Sequence, residues 1–95
     1  MRSYRVRYTP DAARLIGTLP LEVKRVLRSA IDELRRGPEE GGELVGEFLG
    51  YRSLRVRRYR VIYRMHDEDA SVDIYPVGLR RDVYETLRTL LSGSA

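Results

Sequence analysis

The chain has 95 residues, a mass of 11.0 kDa, a net charge of +4 and a pI near 9.8. A compact chain of this length has a radius of gyration of roughly 12 Å, so residues 1–95 read as a single domain whose site is a surface cleft or an open face. Cysteine is absent and histidine occurs once, as His66, which excludes a disulfide framework, a thiol nucleophile and a thiolate zinc site, and leaves no metal site to expect.

Ser3 to Tyr8 alternates in polarity and predicts a strand. Thr9-Pro10-Asp11 carries a capping hydroxyl, a proline at the first helical position and an acid in the first turn. A short helix through about Gly17 follows, with Ala12, Leu15 and Ile16 as its apolar face. Val23, Val26, Leu27, Ala30, Ile31 and Leu34 then recur at helical spacing, until Gly37-Pro38 stops the helix. The pair reads as a helical hairpin packed on one face of a sheet.

Glu39 to Gly50 contains four glycines and reads as a loop anchored by Leu44, Val45, Phe48 and Leu49. Ser53 to Arg57 and Tyr59 to Met65 predict two strands joined by a tight hairpin at Arg57-Arg58. A polar turn, Asp67-Glu68-Asp69, leads to a further strand from Ser71 to Val77, with Pro76 expected at a strand end or edge. After the connector Gly78-Leu79-Arg80, a last helix begins at Arg81 or Asp82, with Val83, Leu87, Leu90 and Leu91 inward. The order β-α-α-β-β-β-α implies an α+β fold: a four-stranded, largely antiparallel twisted sheet, an N-terminal helical hairpin on one face, and a C-terminal helix.

The charge is local. The basic residues are 17 arginines and Lys24. Residues 51–64 contain six arginines (Arg52, Arg55, Arg57, Arg58, Arg60, Arg64) and no acid, so the rest of the chain nets −2. Arginine excess fits planar, bidentate contact with phosphate, and equally fits an arginine-rich codon usage. The period-two rule puts Arg55 and Arg57 opposite Leu54 and Val56, and puts Arg60 and Arg64 opposite Val61 and Tyr63. Arg55, Arg57 and Arg60 then share one open, positive face, read either as a polyanion site or as a solvated strand surface. Arg60 has a second reading, a cross-strand pair with Asp73, and Arg80 another, a pair with Asp82. Arg58 reads as decoration of the turn, and His66 as a solvated residue beside the acidic turn. The longest apolar stretches are far short of a membrane span, and Met1 to Tyr8 is no signal peptide. A cytoplasmic protein with no membrane partner is expected.

Leu54-Arg55-Val56, Tyr59-Arg60-Val61-Ile62-Tyr63 and Val77-Gly78-Leu79-Arg80-Arg81-Asp82-Val83-Tyr84 together resemble the RelE/ParE superfamily of toxins. Tyr4 to Tyr8, Pro38 and the leucine and glycines of Leu44 to Gly50 extend the resemblance over nearly the whole chain. RelE-like members cut messenger RNA in the ribosomal A site without a metal or other cofactor and pair with an antitoxin. ParE-like members share the fold, lack the cutting residues and poison DNA gyrase, and a further reading is a catalytically inactive homologue that binds nucleic acid and an antitoxin. The resemblance implies catalytic roles for Arg60 (transition state), Arg80 (acid or phosphate binder) and Tyr84 (general base). It implies RNA binding by Arg55, with Arg52 or Arg57 as its basic partner, and Arg81 beside the site. Leu79 stands where many relatives have histidine or lysine, which removes one acid/base group. Without the resemblance, Tyr84 reads as the amphipathic edge of the last helix.

Metal-free RNA cleavage must deprotonate the 2′-hydroxyl, stabilise the phosphorane and neutralise the 5′-oxygen. Arginines meet the second need. Tyrosine, with its ordinary pKa near ~10, and arginine, above ~12, are poor acid–base groups at neutral pH. Positive neighbours favour a phenolate. Much of the rate must then come from positioning, and the resemblance assigns that to the ribosome.

Overall fold

The computed structural model describes residues 3–79 and 82–92. Its elements, in order, are β1 (Arg5–Tyr8), α1 (Pro10–Gly17), α2 (Leu21–Asp32), β2 (Gly42–Glu43), β3 (Arg52–Val56), β4 (Tyr59–His66), β5 (Ser71–Leu79) and α3 (Asp82–Ser92). Two 3₁₀ turns, Glu33–Arg35 and Gly46–Phe48, complete the set. The sheet is mixed, five-stranded and ordered β1-β5-β4-β3-β2. β1 runs parallel to β5, and the other pairs are antiparallel. The α+β class and the helical hairpin agree with the sequence reading; the radius of gyration is 12.6 Å. The strand count does not agree. The 39–50 loop contributes Gly42–Glu43 as a short edge strand, paired with Arg52 and Ser53.

α1 begins where the sequence signals placed it. The Thr9 hydroxyl accepts from the Ala12 amide at 3.4 Å and donates to the Ile74 carbonyl at 2.8 Å, so one residue caps the helix and ties it to β5. Ala12 and Ile16 of α1 and Leu27 and Ile31 of α2 are buried. The 3₁₀ turn after α2 carries the stripe on to Leu34. These side chains meet Val56, Val61, Tyr63, Val72, Ile74 and Val77 in the larger core.

β5 explains how Pro76 sits inside a sheet. β1 pairs only as far as Ile74, so β5 has a free flank beyond it. On the other flank the register moves from Val61↔Val77 to Tyr63↔Ile74. Two steps on β4 therefore face three on β5, which is a bulge of one residue. The bulge absorbs Pro76 and switches the alternation, so Val72, Ile74 and Val77 all reach the same core. The strand accordingly continues through Pro76 to Leu79 rather than ending there.

Tyr63 fastens the inter-helix core to the chain that follows α2. It is 0% exposed, donates to the Pro38 carbonyl at 2.6 Å and accepts from the Gly41 amide at 2.8 Å. Gly41 allows this approach because a Cβ there would lie 2.8 Å from the Tyr63 ring and 2.9 Å from the Ser53 carbonyl.

The second face of the sheet is not open. A smaller core of Phe48, Tyr51, Ile62, Val83 and Leu87 lies on it. α3 therefore covers Ile62 and divides the predicted arginine face. Of the four side chains expected inward on α3, Val83 and Leu87 are buried, while Leu91 is 43% exposed. Two buried contacts suffice because Phe48 and Tyr51 supply the rest of the apolar cover.

Candidate functional site

The β3–β4 hairpin builds the site. Its turn is Arg57-Arg58, between the paired residues Val56 and Tyr59. Arg57 has φ 56°, in the left-handed region that glycine occupies without cost. Behind the turn, Arg55 and Arg60 are direct partners across the strands. Two guanidinium groups facing one another in this way destabilise a bare sheet. Among the described residues no acid forms an ion pair with Arg55, Arg57, Arg58 or Arg60. Asp73, the partner considered for Arg60, is taken by Arg7 (Nε–Oδ1 2.8 Å) and by His66 (Nε2–Oδ2 3.0 Å). His66 is thus paired with Asp73 while its side chain stays partly exposed to solvent.

These arginines line a cleft of about 580 Å³ with Tyr59. Leu79 and Tyr84 form its other wall. Leu79 is opposite Tyr59 in the β4–β5 register and is 44% exposed at the rim. Tyr84 comes from α3, is half-buried, and lies with its hydroxyl 3.4 Å from Ser53 Oγ. Arg55, Arg57, Arg60 and Tyr84 are therefore gathered from three elements into one cleft. Arg58 belongs to the same lining and does more than decorate the turn.

Arg52 is elsewhere. It projects on the Leu54/Val56 side of β3, where it donates to the Gly41 carbonyl at 2.7 Å and meets Glu43 at 3.2 Å. Its side chain is 18% exposed and serves the β2–β3 connection. Arg80 and Arg81 lie outside the described residues. Arg64 is on the cleft's strand face but beyond Ile62, with its guanidinium 5.4 Å from the Tyr51 ring centroid.

Sequence reasoning missed the segment that supports Tyr84. Gly46 and Gly50, at φ 66° and 100°, fold Gly46–Phe48 into a 3₁₀ turn. That turn brings Phe48 against Tyr84, with ring centroids 6.0 Å apart and planes 29° from parallel. Glu47 grips Arg88 through two bonds, Nε–Oε1 at 3.1 Å and Nη2–Oε2 at 2.9 Å. The Arg88 hydrogen bond holds the Glu47 carboxyl below the ordinary carboxylate range. The glycines of 39–50 were a signal for turns, but not for what the turns would touch.

The cleft suits a polyanion. Its guanidiniums present paired, planar donors suited to phosphate, no described acid forms an ion pair with them, and the Tyr84 phenol lies in the same lining. No described helix is long and apolar enough to cross a membrane.

Residues 3–84 match the family model for the ParE toxin of type II toxin–antitoxin systems. Toxin RelG of Mycobacterium tuberculosis is 37% identical over 83 residues, covering 85% of this chain and 95% of that protein. The toxin–antitoxin complex RelBE2 from Mycobacterium tuberculosis contains a similar chain, with a TM-score of 0.74 and 36% identity over 82% of this chain and 99% of that one. Free Escherichia coli toxin RelE, in a variant form, shares the fold with a TM-score of 0.76 at 19% identity, over 94% of this chain and 98% of that one.

Proposed function

This chain belongs to the RelE/ParE superfamily of type II toxin–antitoxin toxins, and we propose that it is a toxin of the ribonuclease kind, cutting messenger RNA in the ribosomal A site to block translation. The observation that carries the reading is the unneutralised Arg55–Arg60 pair facing Tyr84 across one cleft. A cross-strand arginine pair is costly until a phosphate enters between the two guanidiniums, so its presence favours a phosphodiester ligand.

In the proposed reaction the 2′-oxygen attacks the adjacent phosphorus as its proton passes to Tyr84, the general base, which acts as the phenolate that the cleft arginines favour. Arg60 donates to the phosphorane oxygens, with Arg55 and Arg57 holding the flanking phosphates. The bond from phosphorus to the 5′-oxygen breaks. Arg80, assigned by resemblance, stabilises the departing oxygen, which takes a proton from solvent as Tyr84 returns its own, and Arg81 adds charge beside it. The products are a 2′,3′-cyclic phosphate and a 5′-hydroxyl end. No metal or cofactor enters the scheme. The ribosome supplies the substrate geometry, so free RNA is a poor substrate. Residues 1–95 act as one toxin domain in the cytoplasm. Antitoxin complexes of related toxins support a cognate antitoxin and a hetero-oligomeric resting form.

The ParE family match favours a second reading, gyrase inhibition. Primer extension on transcripts from induced cells separates the two. Discrete breaks within coding regions, absent with Tyr84→Phe, support the ribonuclease. Intact messages with a DNA-damage response support the gyrase poison.

A further inference from the structure

We propose that Glu47, Phe48 and Arg88 form a clasp that positions Tyr84 in the cleft, a role that rests on Tyr84 being the reacting phenol. α3 is a short helix with two buried side chains, Val83 and Leu87. That anchorage fixes the helix on the sheet, while the half-buried Tyr84 ring has only a long hydroxyl contact to β3, to Ser53 Oγ at 3.4 Å. The missing constraint comes from the 3₁₀ turn at 46–48. Tyr84 and Arg88 are four residues apart, hence one above the other on the same helix face. Phe48 lies against both, its ring 6.0 Å from the Tyr84 ring and 5.6 Å from the Arg88 guanidinium carbon. Glu47 closes the arrangement by binding Arg88 through both carboxylate oxygens.

The geometry distinguishes this pair from an ordinary surface contact. A single-point exposed ion pair has many geometries and little positional effect. A bidentate fork has one. Here the fork joins residues 41 apart in sequence, and its arginine is also stacked on the ring that packs against Tyr84. Glu47 and Phe48 are adjacent, so losing the ion pair releases Phe48 from Arg88 as well. The Tyr84 hydroxyl, 3.4 Å from Ser53 Oγ, then loses its fixed approach to the cleft. Glu47, Phe48 and Arg88 do not line that cleft; they are positioning residues.

The test uses the full chain, with Glu47→Ala, Arg88→Ala and the reversed pair Glu47→Arg/Arg88→Glu. Cleavage is measured on programmed ribosomes, and the Tyr84 ring and α3 amides are followed by NMR. Each single variant is expected to lower kcat about tenfold at unchanged KM, the signature of lost positioning. It also shifts the Tyr84 ring resonances and speeds α3 amide exchange. The reversed pair keeps the Glu–Arg link but gives up the Arg88 stacking on Phe48, so it recovers part of the lost kcat and part of the ring shift relative to either single variant. Single variants within about twofold of wild type, with unmoved Tyr84 resonances, overturn the clasp. So does a loss that the reversed pair fails to recover even in part. If Tyr84→Phe cleaves normally, the catalytic reading of Tyr84 fails, while the resonances still report whether the clasp holds the ring.

Discussion

Arg55 and Arg60 face each other across β3 and β4 as direct partners, and no described acid pairs with either. A fold optimised for stability alone would place an acid or an uncharged residue at one of the two positions. If the pair serves a phosphate ligand as proposed rather than the fold, the consequences are measurable.

Arg60→Ala and Arg55→Ala remove a repulsion and no bond. Thermal melts should show a Tm unchanged or raised by a few degrees. Cleavage on programmed ribosomes should fall about 10²–10³-fold for Arg60→Ala, in line with losing one donor to a developing anion. Arg80→Ala and Tyr84→Phe should relieve growth arrest in the same way. Full toxicity in Arg60→Ala, Arg80→Ala and Tyr84→Phe alike would refute the site.

Arg57 occupies a left-handed backbone position at φ 56°. Arg57→Gly relieves that strain and should stabilise the fold by about 1 kcal/mol. The same change withdraws a cation from the cleft, so binding of RNA should weaken. Denaturant melts and an RNA titration on one preparation check both arms. A destabilised Arg57→Gly protein would show that the turn needs the arginine for its structure.

The cleft arginines should also appear in the salt dependence of binding. Each phosphate contact to single-stranded RNA contributes a slope of about 0.7 in log affinity against log salt. Alanine at Arg55, Arg57, Arg58 or Arg60 should reduce the slope by about that amount. Arg52→Ala should leave it unchanged, because Arg52 is bonded to Gly41 and Glu43 on the other face. An Arg52→Ala slope equal to that of Arg60→Ala would place the anion elsewhere.

Tyr63 gives the fold an alkaline limit. Burial pushes its phenol above the ordinary tyrosine range. A raised folded-state pKa contributes stability that is complete below the unfolded value, near ~10, and is lost as pH rises through the folded one. Tyr8 and Tyr75 shift the same way, also through burial, so Tyr63→Phe should remove part of the alkaline loss. At neutral pH it should cost about 1–3 kcal/mol, because the buried Gly41 amide and Pro38 carbonyl lose their partner. In a domain of this size each kcal/mol corresponds to about 4–8 °C in Tm. A Tm within one degree of wild type would contradict this account.

Local patterns carried much of this molecule. The cap at Thr9, the apolar stripe from Val23 to Leu34 and the hairpin at Arg57-Arg58 each depend on residues close together in sequence. The arginine cluster needed only the two-residue period of a strand to be placed on one side of β3 and β4. Arg52 was harder to place. Its charge looked like that of its neighbours, and only the partners Gly41 and Glu43, brought up by the β2 edge, show that it supports the fold.

The sequence by itself determined the α+β class, the helical hairpin and the run of arginines at 51–64, while Tyr84 was singled out only by the resemblance to a toxin family. Tertiary structure alone decided that the arginine face is divided by α3, that Pro76 lies within a bulged strand, and that Tyr84 reaches the cleft on a helix held by Glu47 and Phe48. The reason is range. Periodicity assigns a side chain to a face of its own element, but which element covers that face depends on contacts between residues dozens of positions apart, where register, a one-residue bulge and two left-handed glycines set the outcome.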